Sequence, residues 1–181
     1  MRYLIIADQS RLTVQAFARG FLSAFGHSPT LIVRRLAGEV EFDADTLDAA
    51  SLQLKISADS LAVIDNMSEA DRREIERRAR EEVLEAARYP EIVFQPGKIA
   101  AQRSGEGQYL IRLTGQLSLH GITRNQALEA SVALTQNCLR AQGKSLLRQS
   151  DYRIEPVTAL GGAIKLKDEL ELSFDIVACS P

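Results

Sequence analysis

The chain has 181 residues, enough to bury a sizeable core as one domain over residues 1–181, and no Pro/Ser/Gly-rich linker divides it. Its 22 basic residues face 24 acidic ones, so charge gives no reason to invoke nucleic acid or an anionic membrane as a partner. No stretch approaches the ~18 apolar residues of a membrane-spanning helix, and two cysteines in a chain this size are not a disulfide framework.

In chain order, Met1 to Asp8 carries an apolar run shorter than the ~7–15 residues of a signal-peptide core, and it reads as a first strand. Leu12, Val14 and Ala16 then share one phase of a two-residue period. Ala18 to Phe25 is compatible with a short helix. His27-Ser28 is no nucleophile motif, because chain neighbours rarely meet in nucleophile–base geometry. Ile32, Leu36, Val40 and Phe42 share a phase that Arg34 and Gly38 interrupt, and Leu52, Leu54 and Ile56 form another run.

Ser68 to Tyr89 departs from this period. Ser68 is placed to cap a helix over about residues 69–88, with Asp71 at the third helical position. Ile75, Ala79, Val83 and Ala86 mark its apolar stripe. Glu69/Arg73, Glu74/Arg78 and Glu76/Arg80 are spaced four apart, each pair worth about 0.2–0.5 kcal/mol. The helix is expected to stop at Tyr89-Pro90, since proline disfavours helical backbone in the residue before it.

From Gln108 to Thr135 the alternation describes one β-hairpin. Tyr109, Ile111, Leu113, Leu117 and Leu119 share a phase with Gly115; the pattern breaks at His120 to Asn125 and resumes at Leu128, Ala130, Val132 and Leu134. A last run, Ile164, Leu166, Leu170, Leu172, Phe174 and Ile176, has Asp168 in its apolar phase. Turn signals stand at Asp43-Ala44-Asp45, Pro96-Gly97, Ser104 to Gly107, Gln142-Gly143 and Gly161-Gly162. About eight antiparallel strands with short connections point to a sandwich or an up-and-down barrel. Cys138 takes the apolar phase of its strand and Cys179 the opposite phase of the last, so the thiols are expected to be free; with the short N-terminal apolar run and only two cysteines, the protein is expected to be cytoplasmic.

Catalytic signals are few. His27 and His120 sit at likely turns without a metal-ligand spacing, and no nucleophile elbow or phosphate loop is present. Arg34 and Asp168 are charges in apolar phases. Each marks either a local change of register or the anchor for the polar end of a ligand in an apolar cavity.

Four segments resemble a known family. Leu117-Ser118-Leu119-His120-Gly121-Ile122-Thr123-Arg124 is similar to the "LTIHGVTK" signature of YceI-like domains, and Tyr89-Pro90-Glu91-Ile92-Val93-Phe94 to that family's "YPxxxF". Ser51 to Ile56 with Ser57 to Leu61 resembles its strand and small polar turn, and Lys165 to Leu172 its closing "VKDEVxL" strand. The resemblance implies an eight-stranded antiparallel lipocalin-like β-barrel, here with one long helix, enclosing a polyisoprenoid or other lipid without catalysis and without a cofactor. Asn125-Gln126 stand where the family often has Pro-Val, and the charged helix replaces its "RDxHL" run.

The expected ligand-binding residues are Val14, Arg34, Leu113, Leu117, Val132, Asp168, Leu172 and Phe174, the apolar ones lining a dry elongated cavity. The partner is an apolar small molecule; a homodimer is left open. Two alternatives remain: a solid barrel whose exposed helix recognises a protein, and an enzyme in which Arg34, His120 and Asp168 converge.

Overall fold

The structure is a computed structural model and describes residues 1–19, 28–44, 50–159 and 164–181. The strands are β1 (Arg2–Ile5), β2 (Arg11–Gln15), β3 (Ala18–Arg19), β4 (Thr30–Val33), β5 (Leu36–Glu41), β6 (Ser51–Ser57), β7 (Leu61–Val63), β8 (Glu91–Gly105), β9 (Gln108–Leu119), β10 (Ile122–Leu134), β11 (Cys138–Arg148), β12 (Thr158–Ala159), β13 (Ile164–Leu166) and β14 (Glu169–Cys179). Eight of them close an antiparallel barrel in the order β1-β5-β6-β8-β9-β10-β11-β14, with β14 returning to β1. β2, β4 and β7 extend the sheet from the other end of β14, and β3, β12 and β13 form a small separate sheet. Residues 20–25 of the expected short helix, His27 and Gly161-Gly162 lie outside the described residues, while Ala18–Arg19 is strand.

The alternation reads the hairpin of β9 and β10 well. Their ladder is unbroken from Gln108↔Ala133 to Leu119↔Ile122. The turn is only His120-Gly121, both with positive φ (52° and 72°), the backbone that a two-residue hairpin of matching twist requires. Strand pairing therefore resumes at Ile122, six residues before the apolar pattern does. Two expected turns are not turns. Pro96-Gly97 lies inside β8, at a register shift between Gln95 and Lys98, so the proline is absorbed by a bulge. Gln142-Gly143 lies inside β11, and the real β10–β11 turn is at Thr135 to Asn137, where Thr135 N–H donates to the Cys138 carbonyl at 2.8 Å.

The early strands are broken, and this is why Arg34 falls out of phase. β4 and β5 form one strand jogged at Arg34-Arg35, and β6 and β7 one jogged at Ala58 to Ser60. Ser60 ties the two jogs together: its carbonyl accepts from Arg34 N–H at 3.0 Å, its hydroxyl oxygen accepts from Arg35 N–H at 3.2 Å, and its hydroxyl donates to the Ser57 carbonyl at 2.7 Å. The inward residues are Leu31 and Val33 before the jog and Leu36 after it. The extra residue turns both arginines outward.

The helix starts as expected. Ser68 Oγ accepts from Asp71 N–H at 3.1 Å. α1 (Glu69–Arg78) then widens into a π turn over Ala79–Val83 and ends there, short of residue 88. Glu85 is left-handed (φ 44°), which turns the chain so that Leu84 and Ala86 enter the barrel core. The gain from burying them ends the helix before Pro90 can. Of the expected pairs only Glu69–Arg73 forms. Arg77 takes Glu74, Arg78 takes Glu82, and the Glu76 carboxylate accepts from the edge N–H of Val63 at 2.8 Å.

The thiols are not free. Cys138 and Cys179 are direct cross-strand partners on β11 and β14, with Cα atoms 4.0 Å apart, and form a disulfide. The opposite-face reading carried the phase of β10 across the turn at Thr135 to Asn137, but that turn resets it. Leu139 and Ala178 are the buried residues there, and both cysteines take the other face together. The expected cytoplasmic location rested in part on reduced thiols and loses that support. Among the described residues, no helix is long and apolar enough to cross a membrane.

Purified protein should therefore show no titratable thiol after unfolding and gain two hydrogens in mass on reduction. The bond spans 41 residues, so reduction should lower stability by about 2–4 kcal/mol, read as a lower denaturation midpoint.

Candidate ligand-binding cavity

The inward phases of the barrel strands do not fill the barrel. A cavity of about 170 Å³ remains along its axis. Its walls include Leu52 and Leu54 on β6, Phe94 and Ile99 on β8, Ile111, Leu113 and Leu117 on β9, Leu128 and Val132 on β10, and Leu172, Phe174 and Ile176 on β14. Two aromatic–glycine pairings keep it open. A Cβ on Gly115 would stand 2.3 Å from Phe94 Cζ, and one on Gly143 would stand 2.5 Å from Phe174 Cζ. Each ring lies against the wall in the space its glycine leaves, so it does not project across the lumen.

The volume is comparable with the ~150 Å³ void that admits benzene, but its shape differs. On β9 the lining runs from Ile111 to Leu117, about 20 Å of strand at ~3.4 Å per residue. With the usual tilt of about 40° that is roughly 15 Å along the axis. A space so long and so small in volume is one hydrocarbon chain wide.

Buried side chains cluster at both ends. At the end with the β8–β9 and β10–β11 turns, Tyr3, Phe42 and Tyr109 are buried, with the Phe42 and Tyr109 rings edge to face at 5.1 Å. Burial, with smaller contributions from Asp43 and Tyr109, pushes the Tyr3 hydroxyl pKa above its ordinary value. At the other end the cluster is Leu84, Ala86, Leu119, Tyr152 and Ile154. His120 pins it: one ring nitrogen lies 3.1 Å from the Tyr152 carbonyl, the other 2.6 Å from the Glu85 carboxylate, and its ring meets Tyr89 edge-on at 4.9 Å. The Tyr152 hydroxyl is buried without a hydrogen-bond partner, and burial raises its pKa.

Of the eight residues expected at the site, Leu113, Leu117, Val132, Leu172 and Phe174 line the cavity together. Val14 is the cross-strand neighbour of Leu172 and Leu31 in the sheet extension, outside the lining. Arg34 is exposed at its strand jog. Asp168 sits at the break between β13 and β14, where its carboxylate accepts from Ser150 N–H at 2.8 Å and from the Ser150 hydroxyl at 2.6 Å. Both charges mark strand breaks. Among the described residues, Arg34, His120 and Asp168 share no partner, and none of the three lines the cavity.

The polar lining residues are Glu41, Ser51 and Gln126, none of them expected. Glu41 is exposed at the Tyr3 end, with the Ser51 hydroxyl 3.5 Å from its carboxylate. Gln126 was legible in principle: it continues the phase of Leu128 and Ala130 by two residues toward the turn. Among the described residues, no cation is in the lining.

The sequence matches the model of the YceI-like domain over residues 3–178. The chain belongs to the YceI-like family. Its fold is similar to that of Burkholderia cenocepacia BcnA, at a TM-score of 0.73 and 16% identity over 96% of this chain and 98% of that one. It is also similar to a polyisoprenoid binding domain from Saccharophagus degradans implicated in plant cell wall breakdown, at 0.70 and 17% over 99% and 98%. The Campylobacter jejuni YCEI protein matches at 0.61 and 15% over 83% and 84%. No curated protein matches the sequence. At these identities the neighbours speak for the fold alone.

Two substitutions test this geometry. Tyr152→Phe removes an unpartnered buried hydroxyl, so it should leave thermal stability unchanged or raise it by about 1 kcal/mol. For Asp168, the Ser150 hydroxyl above all, then the Ser150 N–H and the Arg148 charge, outweigh partial burial and hold the carboxyl pKa below its ordinary value. A depressed folded pKa stabilises above the ordinary carboxylate range, and the effect is lost as pH falls through the folded value. Asp168→Ala should therefore lower stability by about 1 kcal/mol at neutral pH, with the two denaturation midpoints converging as the pH falls below the ordinary carboxylate range.

Proposed function

We propose that the protein binds one extended apolar chain, an isoprenoid or another lipid hydrocarbon, inside the barrel and carries, stores or sequesters it without chemical change. The observation behind this reading is the narrow apolar channel, one chain wide, that the YceI-like barrel leaves along its axis. The Saccharophagus degradans relative, described as polyisoprenoid binding, supports the ligand class. The separation of Arg34, His120 and Asp168 speaks against the catalytic alternative, and the hollow interior against a solid interaction module. The Cys138–Cys179 bond favours an oxidising compartment, where such bonds persist.

Native mass spectrometry of protein purified from its own host should find a co-purified apolar mass. Ala141, which lines the cavity opposite Val132 and Ile176, offers the blocking variant. Ala141→Phe should fill the lumen and weaken binding of a prenyl alcohol at least about tenfold, at an overpacking cost of about 1–3 kcal/mol in stability. An empty native protein, together with unchanged prenyl alcohol binding by a folded Ala141→Phe variant, would refute the proposal.

A further inference from the structure

We infer that Gln126 reads the polar end of the bound molecule, and that this end is an uncharged hydrogen-bond donor such as a hydroxyl or an amide N–H. The inference rests on the cavity-binding reading above and adds the chemistry of the head group.

Gln126 interrupts the apolar inward phase of β10 and lines the cavity. It stands where the β10–β11 backbone ladder has already ended, at Ser131↔Gln142. There its side chain bridges the strands. The Nε2 group donates to the Ser145 hydroxyl oxygen at 2.9 Å and to the Leu146 carbonyl at 3.1 Å, and Ser145 donates onward to the Ala127 carbonyl at 3.3 Å. A carbonyl can only accept, so the Leu146 contact identifies the nitrogen end of the amide. The orientation is thereby set, and Oε1 is left without a partner among the described residues. An acceptor fixed at the wall of an apolar channel selects for a donor on the ligand.

Charge narrows the choice. Among the described residues the lining holds no cation, and its one ionisable group is the Glu41 carboxylate at the opposite end. A carboxylate or phosphate head drawn into the lumen would lose its hydration without gaining a counter-charge, a heavy cost in an apolar site. Arg124, two residues nearer the turn, is exposed, with its Nε donating to the Asp151 carbonyl at 3.2 Å. It lies outside the lining. The channel thus suits a neutral head, and Gln126 supplies an inward acceptor, uncharged and held in place, at the end away from Glu41.

The test compares three probes that share a tail: farnesol, farnesyl methyl ether and farnesoic acid. Each displaces an apolar fluorescent dye from the full chain. The wild type should prefer farnesol to the ether by about two- to tenfold, the usual worth of one net hydrogen bond, and bind farnesoate most weakly. Gln126→Met and Gln126→Leu should abolish the farnesol–ether difference and leave ether binding intact. The inference is overturned if the wild type binds farnesol and the ether equally, if farnesoate binds tightest, or if either folded variant keeps the alcohol preference. If none of the three probes displaces the dye from the wild type, the cavity-binding reading itself fails, which is a different result from a bound but undiscriminated tail.

Discussion

Everything in this molecule depends on the last strand closing the sheet. β14 pairs with β11 along its whole length on one side, and on the other with β1 near its end and β2 near its start. Closure pairs both sides of the barrel strands and encloses apolar faces that would otherwise meet water. The seam is reinforced between β1 and β2. Ile6 N–H donates to the Val177 carbonyl at 2.9 Å, and Val177 N–H donates to the Ser10 hydroxyl oxygen at 3.0 Å. The Cys138–Cys179 bond ties the same strand to β11 on its other flank.

A closed barrel of eight strands is just wide enough to be filled by its own side chains. Whether it is filled depends on where the large ones go. Phe94 and Phe174 are laid aside against Gly115 and Gly143, and the other buried aromatic rings among the described residues sit at the ends, Tyr3, Phe42 and Tyr109 at one and Tyr152 at the other. The wall between is mostly Leu, Ile and Val, and a narrow channel is left.

Charges in an apolar phase carry two meanings that one dimension cannot separate. Arg34 and Asp168 both interrupt such a phase, and both do so because the strand itself is interrupted: Ser60 holds the first break, and Ser150 and Gln149 hold the second. Gln126 is different. Its strand runs on unbroken beside β9, so its side chain has to face the side its phase dictates. Uninterrupted pairing to a neighbour distinguishes a polar residue aimed into a core from one at a jog.

The sequence by itself determined the mainly β class, the β9–β10 hairpin, the start of the helix at Ser68, the family and five cavity residues. Each follows from local alternation or a short motif, because side chains alternate along any strand and a cap needs only its own turn. Tertiary structure alone decided the jogs at Arg34 and Asp168, the bulge at Pro96-Gly97, the early end of the helix and the pairing of Cys138 with Cys179. It also decided that the barrel is hollow. These depend on which strands meet and in what register. A shift of one residue reverses every side chain beyond it, and the register is set by neighbours distant in the chain.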